Sequence, residues 1–150
     1  MNGIKIREAV VEDLPAVLSL YGQPDVDSGD VLDIESAESI FSLMRSYPSY
    51  RVFVACLDDR IVGTYSLVIL DNMIHKGAHS ALVEAVIVLE ECRRQGIGKA
   101  MMNHALGLCR GSKCYKLALS SNLIRESAHD FYEHIGFRKH GFGFVANLRE

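Results

Sequence analysis

The sequence predicts a mixed α/β (α+β) three-layer domain in the order β-α-α-β-β-β-α-β-α-β, and three observations predict it. Apolar spacings of period two and period 3.6 alternate along the chain. A nearly unbroken apolar run, Ala81 to Leu89, reads as a central strand buried on both faces. That run leads through a turn holding Gly96 and Gly98 into an amphipathic segment. At 150 residues the chain fits one domain, 1–150, able to bury roughly 70% of the surface its unfolded form exposes.

The elements follow in order. Ile4 and Ile6 alternate with Lys5 and Arg7 as a short strand. Asp13 precedes Leu14-Pro15, and proline suits a first helical turn. Leu14, Val17, Leu18 and Tyr21 keep helical spacing until Gly22 and Pro24. Ser36 is the expected cap of a second helix carrying Ile40, Phe41 and Met44. Arg51 to Leu57, a turn at Asp58-Asp59-Arg60 and Ile61 to Leu70 read as a hairpin. After the run 81–89, Ile97, Met101, Ala105 and Leu108 mark a helix, and Tyr115, Leu117 and Leu119 alternate as a strand. Ile124, Ala128, Phe131 and Ile135 define a last helix stopped by Gly136. Phe142, Phe144 and Val145 read as a closing strand, whose exposed edge invites pairing with a second copy.

Composition narrows the function classes. A net charge of −3 implies no broad basic surface, so no nucleic-acid partner is expected. No apolar run reaches the roughly 18 residues of a membrane span. Met1 to Lys5 begin no secretory signal, and a cytoplasmic location is expected. The cysteines at 56, 92, 109 and 114 have no Cys-x-x-Cys spacing, so neither a disulfide framework nor a metal site is expected. Residues 25–38 hold six acids uninterrupted by Lys or Arg, a stretch that would attract a cationic amine or form a solvated loop.

The strongest chemical signal is Arg93-Arg94-Gln95-Gly96-Ile97-Gly98-Lys99. The first amides of a helix have no intrahelical partner. With the helix dipole behind them, they suit an anion. Glycines let the backbone close on a phosphate, and Arg93, Arg94 and Lys99 add charged donors. The pattern is not a P-loop, because Ala100 follows Gly98-Lys99 and Arg93 stands where the first glycine belongs. It is not a dinucleotide fingerprint, because the third glycine would fall at Met101.

Arg93-x-x-Gly96-x-Gly98 after a central strand resembles the Arg/Gln-x-x-Gly-x-Gly/Ala motif of the GNAT superfamily of N-acetyltransferases. Ile6-Arg7-Glu8-Ala9 with Asp13 resembles that family's start, and Arg60-Ile61-Val62-Gly63 its second hairpin. Ala128-His129-Asp130-Phe131-Tyr132-Glu133-His134-Ile135-Gly136-Phe137 resembles its last helix. Glu90 stands where proline is common, and Arg94 where glycine is common. The resemblance implies a mostly antiparallel sheet flanked by helices, and acetyl-coenzyme A (acetyl-CoA) as cosubstrate. It places the pyrophosphate on Arg94, Gln95, Gly96, Ile97, Gly98 and Lys99, and pantetheine along Val86, Ile87 and Val88. It also points to a homodimer, and to a small-molecule amine as the acceptor.

An acetyltransferase must present a neutral amine, hold an oxyanion and protonate the departing thiolate. Glu84 is the only acid in the strand, and burial would raise its pKa and make it a base near neutral pH. Glucosamine-phosphate N-acetyltransferases have Glu at the matching position; their following Asp is Ala85 here. In the family the tyrosine matching Tyr132 lies near the coenzyme sulfur, which implies the thiolate's proton donor. The oxyanion is expected on the amide of Ile87 or a neighbour. Asn122-x-x-Arg125-x-x-Ala128-His129 resembles aminoalkylphosphonate N-acetyltransferases. There Arg125 would grip an acceptor phosphate or a coenzyme phosphate, with Asn122 beside the cofactor. The alternative to catalysis is a non-catalytic acetyl-CoA-binding sensor or interaction domain.

Overall fold

The computed structural model describes residues 3–26, 29–121, 123 and 125–149. They pack as two compact units, Met1–Ala118 and Leu119–Glu150.

The first unit is a five-stranded sheet in the spatial order β1-β2-β3-β4-β5. Its strands are β1 (Ile4–Glu8), β2 (Tyr50–Leu57), β3 (Arg60–Leu70), β4 (His79–Val88) and β5 (Cys114–Ala118). The first four are antiparallel neighbours, and β4 and β5 run parallel. Asp58 and Asp59 both take left-handed backbone (φ 50° and 62°), as a two-residue β2–β3 hairpin turn requires.

Helices α1 (Leu14–Tyr21) and α2 (Ile34–Ser46) cover one face of the sheet. There Leu14, Val17, Ala37 and Phe41 pack with Val52 and Val54. Helix α3 (Ile97–Gly111) covers the other face, burying Ile97, Met101, Met102 and Ala105. The two faces follow from strand alternation. Gly63 and Tyr65 look toward α3, whereas Thr64 and Ser66, opposite Val54 and Val52, look toward α1 and α2. The three layers expected from the sequence are present.

Asp13 fixes the first corner. Its carboxylate accepts the Val10 amide at 2.8 Å and holds the Arg7 guanidinium at 2.6 and 2.9 Å. The hydrogen bond from Arg7 keeps the Asp13 carboxyl below the usual carboxylate range. The cap of α2 differs from the expectation. Asp33, not Ser36, is the N-cap: its carboxylate accepts the Ser36 amide at 2.8 Å and the Ser36 hydroxyl at 2.9 Å. An aspartate with helical residues directly behind it places its oxygen over the open amide, so the helix begins one residue later, at Ile34.

In the second unit, α4 spans Glu126–His134. Gly136 sits at φ 107° just beyond it, a conformation that favours glycine. The order expected from the sequence holds from β1 through α4. Residues 137–149 carry no strand, although Phe142, Phe144 and Val145 alternate as one. A strand needs a hydrogen-bonded neighbour. The second unit contains no other strand among its described residues, and Phe142, Phe144 and Val145 are exposed. No helix among the described residues is long and apolar enough to cross a membrane.

Candidate active site

Strand β4 is the spine of the site. It pairs with β5 only from His79 to Leu82. From Val83 to Val88 no strand pairs with that edge among the described residues, so extended backbone is open to an added strand-like ligand. The strand is not buried on both faces as its composition suggests. Ala81, Val83 and Ile87 are buried, whereas Leu82, Glu84 and Ala85 are exposed. The exposed residues Leu82 and Glu84 lie on the face of α1 and α2, and beyond the bulge Ile87 is buried on that same face.

A bulge interrupts β4 at this point. Thr64 pairs with Ile87 and Ser66 with Glu84, so Ala85 and Val86 together oppose Tyr65. Ala85 takes φ 51°, a left-handed conformation uncommon for a residue with a Cβ. Bulges of this kind bend a strand and re-aim its side chains next to functional sites. Beyond the bulge the ladder resumes, with the Leu89 amide donating to the Val62 carbonyl at 2.8 Å. By strand alternation, Ile87's amide then points at β3, leaving the bulge amides at 85–86 outside the regular ladder.

Glu84 stands exposed on the face of α1 and α2, opposite Ser66. The burial expected for it is absent: Glu84 is exposed, although Ile87 on the same face is buried. Around it lie side chains that sequence reasoning did not single out. Tyr50 is paired with Val68 on the same face, and burial followed by the Glu84 charge pushes its phenol upward. Tyr21 is raised by burial and then by Tyr50, with Ser66 as its polar neighbour. Tyr47 stacks parallel to Tyr50 with ring centroids 6.1 Å apart. Only the register of three strands and the docking of α1 bring these residues together, so no local sequence signal marks them.

The turn after β4 is built as its glycines suggest. Arg94 (φ 65°) and Gly96 (φ 82°) both take left-handed backbone. The first bond of α3 runs from the Ala100 amide to the Gly96 carbonyl at 3.0 Å, so the amides of Ile97, Gly98 and Lys99 precede the helical ladder. Arg94, Gln95, Gly96 and Lys99 are exposed, and Ile97 anchors the helix in the core at 1% exposure. Arg93, expected to add a charged donor to the turn, makes contacts within the protein. Its guanidinium donates to the Val88 carbonyl at 3.1 Å and to Asp25 at 2.7 Å. Asp25, read in the sequence as one of the acids attracting an amine, thus pairs within the protein.

In the second unit, Tyr132 lies on α4, its ring edge-on to Phe131 and Phe137 at 5.1 and 5.7 Å. Burial raises its phenol pKa, with Arg125 acting in the opposite direction. The proton therefore stays on Tyr132 at neutral pH, as a donor requires. Arg125 is exposed at the N-cap of α4. Asn122, expected beside the cofactor, and Ile124 of the helical stripe lie outside the described residues.

Residues 14–137 match the acetyltransferase (GNAT) family. The chain belongs to that family. Members use acetyl-CoA as acetyl donor, and this chain is an acetyltransferase. Membership supports the enzyme expected from the sequence over the non-catalytic sensor that was its alternative. The glucosamine 6-phosphate N-acetyltransferase of Trypanosoma brucei brucei is 30% identical over 137 residues, covering 91% of this chain and 90% of the relative. The aminoalkylphosphonate N-acetyltransferase of Salmonella typhimurium is 25% identical over 144 residues, covering 96% and 91%. The crystal structure of a Trypanosoma brucei acetyltransferase superposes with a TM-score of 0.84 at 28% identity, covering 97% of this chain and 99% of that one. The acetyltransferase's own residues fit the donor: an open β4 edge for an extended amide chain, then a left-handed turn and helix amides for a pyrophosphate.

Proposed function

We propose that this acetyltransferase transfers the acetyl group of acetyl-CoA to the primary amine of a small molecule by direct attack on the thioester. The observation that carries the reading is the juxtaposition on β4. An open edge from Val83 to Val88, a bulge at Ala85–Val86 and the exposed carboxylate of Glu84 lie within one strand that ends at the anion-binding turn.

In this reading the pyrophosphate rests on the amides of Arg94 to Lys99, and pantetheine runs along Val86 to Val88. Glu84 takes a proton from the incoming ammonium, directly or through water, and leaves a nucleophilic amine. The nitrogen–carbon bond forms as the carbon–sulfur bond breaks. The developing oxyanion is held by a backbone amide at the bulge, since the Ile87 amide is directed at β3. Tyr132 gives a proton to the coenzyme thiolate and regains one from the new amide nitrogen, which sheds its second proton as the thiolate leaves. Asn122 extends the cofactor contacts. Two similar enzymes are named for amines that bear a phosphate or a phosphonate, which supports a phosphorus oxyanion on the acceptor. Arg125, exposed at the start of α4, is the residue we assign to that group.

We further propose a homodimer, in which the exposed apolar side chains of Phe142, Phe144 and Val145 meet a second copy. Light scattering at micromolar concentration should then give twice the 16.7 kDa chain mass.

Release of free thiol from acetyl-CoA, measured with glucosamine 6-phosphate, 2-aminoethylphosphonate and spermidine, tests the reading. Turnover with at least one of the two phosphorus-bearing amines, sharply lowered in Glu84→Gln, is the expected result. Acetylation of none of the three would overturn it.

A further inference from the structure

Gln23 follows Gly22 at the end of α1, far in sequence from the donor turn, yet its side chain ends there. The residue is buried to 8% exposure. Its carboxamide oxygen accepts the Glu90 amide at 2.7 Å. Its nitrogen donates to the Leu20 carbonyl at 3.1 Å and to the Val88 carbonyl at 3.3 Å. One side chain therefore closes the C-terminus of α1, the last carbonyl of β4 and the first amide beyond Leu89. Two residues on, Asp25 grips Arg93, whose Nε reaches the same Val88 carbonyl.

A buried carboxamide with both ends satisfied has one orientation, and it transmits that orientation to what it holds. Here it holds the hinge between the strand and the turn. The turn must aim several amides at one anion, and such alignment contributes most when it exists before the ligand arrives. Arg94 takes a left-handed conformation, strained for a residue with a Cβ, that a loosely held turn would not keep.

We propose that Gln23 is a positioning residue for the donor turn: it fixes Val88 and Glu90 so that the amides of residues 94–99 converge on the pyrophosphate of acetyl-CoA. The proposal rests on the donor site described above. It carries a second consequence. Because the link runs both ways, donor binding at the turn also steadies the segment from Leu20 to Val26, on the side where α1 faces Glu84.

Calorimetry and amide hydrogen exchange with coenzyme A test it. In the wild type, coenzyme A is expected to slow exchange in peptides covering 94–99 and also in those covering 20–26. Gln23→Met keeps a side chain of similar length and removes both hydrogen-bonding groups. It is expected to weaken coenzyme A about tenfold, the weight of one such bonded group, and to abolish the protection of 20–26 while that of 94–99 persists. A purely structural role would instead speed exchange through the core of the free protein and leave affinity for the folded fraction unchanged. Protection of 94–99 without 20–26 in the wild type overturns the proposal without any variant. Unchanged affinity in Gln23→Met does so as well. Absence of coenzyme A binding by the wild type would sink the donor site itself, a different result from either.

Discussion

Gly63 of β3 faces Met101 of α3 so closely that a Cβ at position 63 would lie 3.1 Å from the Met101 sulfur and 3.2 Å from Ile97 Cγ2. The methionine tip can shift, but the branched carbon of Ile97 is fixed at the first residue of α3. The approach of helix to sheet at this point sets where the donor turn ends.

Gly63→Ala is therefore expected to act on stability and donor binding together. Overpacking of this size costs about 1–3 kcal/mol. Thermal denaturation should show a lowered Tm, and coenzyme A affinity should fall if, as we propose, the Ile97 amide is one of those that bind the pyrophosphate. A variant with a lowered Tm and unaltered affinity would separate the helix position from the site.

Arg94 holds left-handed backbone, which costs a residue with a Cβ about 1–2 kcal/mol. Arg94→Gly relieves that strain, partly offset by the greater freedom glycine gives the unfolded chain. We expect a Tm that does not fall, with coenzyme A binding weakened at low salt and the difference shrinking as salt rises. Loss of Tm would show that the side chain has a structural partner. Equal affinity at low salt would remove the guanidinium from the phosphates.

His104 lies on α3 with its Nδ1 2.7 Å from the Tyr65 hydroxyl and its ring edge-on to Phe53 at 5.1 Å. Burial lowers its pKa below the usual histidine value. The unfolded chain therefore takes up a proton at higher pH than the folded one. Its stabilising effect is complete above about pH 6.5 and is lost as pH falls toward the folded value. Tm should decline on acidification from pH 7.5 to 5.5, and His104→Gln should flatten that part of the profile. An identical slope in the variant would assign the acid sensitivity to another group.

Tyr132→Phe removes one hydroxyl and keeps a ring packed between Phe131 and Phe137. If the phenol protonates the leaving thiolate, kcat should drop by about 10²–10⁴, with coenzyme A affinity and Tm nearly unaltered. A shifted Tm with kcat intact would make Tyr132 a packing residue.

Much of the molecule was legible in local pattern. Periodicity marked β1, β5 and the helices, and runs of apolar or β-forming residues marked β2, β3 and β4. The turn at 93–99 was legible because its glycines and the helix opening are contiguous. The closing strand failed because alternation of Phe142 and Phe144 describes a strand's side chains and says nothing of a hydrogen-bonded neighbour. The cap of α2 was displaced by three residues because Asp33 and Ser36 are both good caps and lie within one turn.

By itself the sequence determined the order of elements from β1 through α4, the glycine turn at 93–99 and the family, since these depend on residue types at short, fixed spacings. Tertiary structure alone decided the rest of the site. The β4 bulge appears only when Ser66 and Thr64 choose partners one residue out of step. Tyr21, Tyr50 and Ser66 approach Glu84 through strand register and helix docking, and Gln23 reaches Glu90 across 67 positions. Arg93, which the motif assigned to the cofactor, turns toward Asp25 and Val88 because a guanidinium beside a carboxylate and an open carbonyl is held there. Short-range spacing cannot encode such contacts; they exist only where packing brings distant backbone within hydrogen-bond reach.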